Sequence, residues 1–122
     1  MASVLTDLGE AHVIDAIDAY GTRYVGIGTD STAPAKGDTD LTAPATEARV
    51  AAVETQTSAD VLQMVGTFTA DGTKTLKEAG IFDAAGAGSP PSGGNLLIHG
   101  TFADAPVALG YTVVVAITLE AS

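Results

Sequence analysis

After Gly21 the chain never returns to a helical period. Six stretches alternate or run apolar instead: RYVGIG (23–28), ARVAAVETQT (48–57), VLQMVGTFTA (61–70), TLKEAGIFDA (75–84), NLLIHGTF (95–102) and YTVVVAITLE (111–120). Parallel strands need crossovers of about a dozen residues, usually helical, and none separates these stretches. The strands must therefore pair antiparallel. The clearest alternation sets Leu62, Met64 and Phe68 against Gln63, Thr67 and Thr69. In the last stretch Tyr111, Val113, Val115, Ile117 and Leu119 share one face, and Thr112, Val114, Ala116 and Thr118 the other. Ala70-Asp71-Gly72-Thr73 reads as a hairpin turn and Gly80 as a bulge.

One helix precedes them, from Asp7 to about Tyr20. Asp7 and Glu10 have capping-box spacing, and Leu8, Ala11, Ile14 and Ile17 recur on one side. Gly21 can stop it. Three long connections remain: the arm 28–41, the Gly/Pro tract 84–94 and the segment ADAPVALG (103–110). The expectation is a single domain over 1–122, mainly β. Its architecture is an antiparallel β-sandwich or barrel-like fold with one N-terminal helix and long loops.

Apolar residues make up 46% of the chain, but aromatics only 5%, with no Trp. Much of the apolar fraction is Ala, and at about 25 cal/mol per Å² such a core is thin. The strand 113–117 is apolar on both faces and needs cover on both. Both points imply self-association. The net charge of −10 repels phosphate backbones and anionic lipid heads, which disfavours nucleic-acid and membrane partners. Val113 to Ile117, the longest apolar run, is far too short for a helical membrane span. With no Cys there are neither disulfides nor thiolate metal sites. The opening MASVLTDLGE lacks the basic flank of a signal peptide, so synthesis in a cytoplasm is expected.

No constellation of catalytic residues stands out. His12 lies among Asp7, Glu10 and Asp15, but Glu10 and His12 point apart on a helix. His99 sits in a strand with no serine elbow to serve. Gly26-Ile27-Gly28 follows a strand but opens no helix, so it is not a phosphate loop. Asp30, Asp38 and Asp40 could gather around calcium, yet their spacing fits no EF-hand. No cofactor or metal is expected, and no enzymatic activity.

The arm GTDSTAPAKGDTDL (28–41) is a long polar segment for so small a chain, and such loops usually have a task. Thr29, Asp30, Ser31, Thr32, Pro34, Lys36 and Asp38 are its candidate protein-interaction residues. Pro34 and Pro44 lower the cost of ordering it on a partner. The arm offers little apolar area, so the fold is expected not to depend on it.

The string VGIGTDSTAPAKGDTDL (25–41) resembles a pattern in small virion proteins of tailed bacteriophages, in which a strand ends in a G-T-G-T-T-A-P-A-x-G-D-T-x-L-like arm. TLKEAGIFDAA (75–85) is similar to their I-T-E-A-G-L-F strand. GGNLLIHGTFADAPVALGYTVVVAITLE (93–120) is similar to their G-G-x-L-x-x-R-x-x-F strand and closing Thr/Val strand. The chain departs from the pattern at Asp30 and at His99. The resemblance implies a non-enzymatic structural protein, made in the host cytoplasm and resident on the virion. A capsid decoration (cement) protein suits the composition, with the major capsid protein as partner and a homotrimer as its own assembly. A tail, collar or fibre component contacting the host receptor is the alternative.

Overall fold

The computed structural model describes residues 2–120. Helix α1 spans Asp7–Ala19. Its N-cap is Thr6, one residue earlier than the capping-box reading, with Thr6 Oγ1 accepting from the Gly9 N–H at 3.2 Å. Asp7 and Glu10 then lie in the first turn, where negative charge favours the exposed N–H groups. At the other end Arg23 donates to the carbonyls of Ile17 (2.9 Å) and Gly21 (3.1 Å), adding a second donor to the Ile17 carbonyl, which also accepts from the Tyr20 N–H. Ile14 is buried and Ile17 packs against the core, but Leu8 is exposed. The helix packs chiefly on one strand, and its first turn overhangs that support.

The strands are β1 (Tyr24–Gly28), β2 (Val50–Ala51), β3 (Val53–Ser58), β4 (Val61–Thr69), β5 (Lys74–Phe82), β6 (Leu96–Val107) and β7 (Thr112–Glu120). They form two antiparallel sheets in a sandwich-like arrangement, ordered β2-β1-β5-β6 and β3-β4-β7. The expected strand 48–57 is split at Ala52, where the chain passes from one sheet to the other and the Ala52 N–H donates to the Arg23 carbonyl. Residues 70–73 do not close a hairpin. They too cross between sheets, because β4 is already paired on both flanks with β3 and β7, and β5 with β1 and β6. β6 runs on to Val107, through most of the expected loop 103–110. Pro106 is tolerated there because β6 ends its sheet.

Between the sheets lie Val25, Ile27, Leu76, Ala79 and Ile81 from one side and Leu62, Met64 and Phe68 from the other. Leu76 and Ala79 share the core although three positions apart. The register shift between Leu76 and Glu78 makes this possible by switching the face that β5 turns inward. Gly80 itself pairs regularly with Gly26 and His99 and is not the bulge. Beyond the shift Glu78, Gly80 and Phe82 are buried on the outer face of their sheet. What buries them is the arm and the segment that follows it.

One side of the sandwich is closed by the β2–β3 crossing at Ala52. On the other side β6 and β7 end their sheets. There Val113, Val115, Ile117 and Leu119 reach the core but stay half-buried.

Candidate functional site: an arm fastened by a buried carboxylate

Glu78 is completely buried on β5. Its Oε2 accepts from the backbone N–H groups of Asp30 (3.2 Å) and Ala43 (2.9 Å), and its Oε1 from that of Thr42 (2.8 Å). Both ends of the arm are thus tied to one side chain. His99, opposite Gly80 on β6, sets Nε2 2.9 Å from Glu78 Oε1 and Nδ1 2.7 Å from Asp38 Oδ2. Asp38 Oδ2 also accepts from the Ala35 N–H at 2.8 Å. The sequence Asp38–His99–Glu78 runs from the arm into the sheet as a chain of charge-assisted hydrogen bonds.

A neutral imidazole has a single N–H, yet both ring nitrogens face carboxylate oxygens. Only the imidazolium can donate both bonds. Burial alone pulls His99 down, but the hydrogen bonds and charges of Asp38 and Glu78 outweigh it and raise its pKa above the ordinary value. Asp38 is held below the usual carboxylate range, first by the Ala35 N–H and then by His99. With both nitrogens engaged, His99 has none left to activate a hydroxyl.

Close packing supports this fastening. Thr29 N–H donates to the Ala43 carbonyl, and Ala45 N–H to that of Ile27, each at 2.9 Å. A Cβ on Gly28 would stand 2.7 Å from the Ala43 carbonyl oxygen and from Glu78, so only glycine lets the arm cross here. A Cβ on Gly80 would stand 2.9 Å from Leu41 Cδ2. Leu41, at the end of the arm, and Ala45 just after it are buried, so this segment adds apolar packing where the arm was expected to offer the fold little. Further along, Lys74 Nζ bonds Glu47 (2.7 Å) and Asp71 (2.6 Å), and Arg49 stacks on Phe82 while donating to the carbonyls of Ala84 and Gly93.

The interaction residues proposed from sequence fall into two sets. Thr29, Asp30 and Asp38 are half-buried in the fastening. Ser31, Thr32, Pro34 and Lys36 lie in the exposed stretch 31–37 between the ties. Asp30 shapes the turn, accepting from the N–H and the hydroxyl of Thr32. Asp40 faces Arg49 at 3.9 Å. The three aspartates weighed for calcium therefore serve different partners. Sequence reasoning missed Glu78, although an acid two residues before Gly80 on an expected strand was a visible signal. The backbone N–H of Asp30 and the imidazole of His99, far apart in sequence, meet at this same carboxylate.

No family model matches the chain, and no curated protein matches it.

Proposed function

We propose that this chain is a non-enzymatic structural protein of a tailed-phage virion, a capsid decoration protein that binds the shell through residues 31–37 of its arm. The observation that carries this reading is the fastening. A fully buried carboxylate is committed to holding both ends of a polar loop whose middle touches solvent. A loop held this way is already ordered, so docking it on a partner costs little conformational entropy. Placing a binding loop on a rigid sheet is a common use of such connections. The acidic surface keeps a protein made in many copies soluble before assembly. The absence of a free ring nitrogen on His99 fits a holding role better than a catalytic one.

Quantitative mass spectrometry of purified virions tests the assignment. A copy number comparable to that of the major capsid protein is expected. A handful of copies per particle points to the tail, collar or fibre instead, and absence from the particle overturns the reading.

A further inference from the structure

Among the described residues, four strands have an edge that no other strand pairs: β2, β3, β6 and β7. Three of them carry the usual protections against pairing with another chain. β2 is only Val50–Ala51. β3 holds Glu54 and a register shift between Gln56 and Ser58. β6 holds Asp104 and Pro106. β7 has none. From Thr112 to Leu119 it contains no charge and no proline, and its pairing with β4 is regular throughout. Its inward side chains remain half-buried at the open side of the sandwich, and outward Val114 is 64% exposed.

We infer that the free edge of β7 pairs antiparallel with β7 of a second copy of this chain, about a two-fold axis at Ala116. Full overlap of Thr112–Glu120 with itself fixes the register. Ala116 faces its own counterpart, Val115 faces Ile117, Val113 faces Leu119, and Val114 faces Thr118. Every side chain keeps its face, so the half-buried inward row of each copy continues into the other. The strand is compatible with itself, because no charge or proline between Thr112 and Leu119 meets its own counterpart in this register. The chain carries −10, so two copies repel unless they meet along an uncharged strip. In this register Glu120, the one acid of the strand, lies opposite Thr112. The two Glu120 residues sit at opposite ends, about 27 Å apart at roughly 3.4 Å per residue. That is well beyond the screening length of about 8 Å at physiological salt. The contact is isologous, so it makes a closed pair, in contrast to the trimer expected from sequence. It does not involve the arm and stands or falls separately from the assignment to a virion.

The chain has no Cys, so Ala116→Cys introduces a single thiol. Directly opposed residues of an antiparallel pair have Cα atoms about 4.5–5.5 Å apart, within disulfide range. Sedimentation of the full chain should give a two-chain species, and mild oxidation of the Ala116→Cys variant should link it covalently. Ala116→Lys, which opposes two cations on an exposed position, should raise the dimer dissociation constant at least tenfold, while Ala116→Ser leaves it near wild type. A wild-type chain that stays monomeric at millimolar concentration overturns the inference. So does a self-associated chain whose Ala116→Cys variant does not crosslink on oxidation, since a head-to-tail ring would keep those positions apart.

Discussion

The imidazole of His99 lies against the buried carboxylate of Glu78, with Nε2 2.9 Å from Oε1, beneath an arm that closes over both. The pair joins a sheet to a loop that local hydrogen bonds alone would hold weakly. Its chemistry makes the arm sensitive to pH, to substitution at either residue, and to where the loop is cut.

The pKa of His99 is raised above its ordinary 6.5 in the folded chain. A raised histidine contributes stability that is fully present below the unfolded pKa and is lost as pH rises through the folded one. The melting temperature should therefore fall between pH 6 and alkaline pH, and His99→Gln should remove that part of the slope. An unchanged slope in the variant would show that the imidazolium does not hold the arm.

Removing Glu78 leaves the N–H groups of Asp30, Thr42 and Ala43 and the Nε2 of His99 without their acceptor. Breaking one side of a buried, hydrogen-bonded ion pair costs about 3–5 kcal/mol. Glu78→Ala should lose stability in that range by denaturant titration. Hydrogen exchange at those three amides should rise more than at β4. Uniform acceleration everywhere would mean the arm and the sheets open together.

Glu54, facing α1 from β3, has its pKa raised to about 7, by burial first and by Asp18 next. Its Oε1 is buried with no hydrogen-bond partner. An acid raised in the folded state is destabilising as pH climbs from about 4.5 to 7, because it must ionise while buried. Glu54→Gln should raise the melting temperature at pH 8 and leave it nearly unchanged at pH 4. A lower melting temperature at pH 8 contradicts the assignment.

Leu62 is fully buried between the sheets. Leu62→Ala should cost about 2–5 kcal/mol, the range for large-to-small core changes. Thr67→Ala, exposed on the same strand, should change stability by less than about 0.5 kcal/mol. Similar losses for both would mean that β4 does not hold the core between its sheets.

The elements easiest to read were those with one wet face. β4 alternates plainly, and Leu62, Met64 and Phe68 are buried as their spacing implies; the two faces read for β7 also hold, although its middle is apolar on both. β5 hid its organisation because it is covered on both faces and switches between them at the Leu76–Glu78 shift. Asp104 and Pro106 made the second half of β6 look like a loop, whereas an edge strand accepts both. The turn residues 70–73 suggested a hairpin and instead carry the chain between sheets, because nothing local says which sheet the next strand joins. The arm's polar composition was legible. Its attachment was not, because Glu78 and His99 lie far from it in sequence and meet it only once the sheet has formed.

In the proposed role, the exposed stretch 31–37 binds a particle surface while its ends hold the fold. Replacing Ser31–Gly37 with a short Gly-Ser link keeps Asp38, His99 and Glu78 in place. Loop-closure entropy changes by only about 0.6 kcal/mol per doubling of length, so the variant should fold and melt near wild type. Cosedimentation with undecorated tailed-phage capsid shells is the direct measurement. The wild-type chain should pellet with the shells and the folded, loop-replaced chain should stay in solution. Equal binding by both would contradict that role.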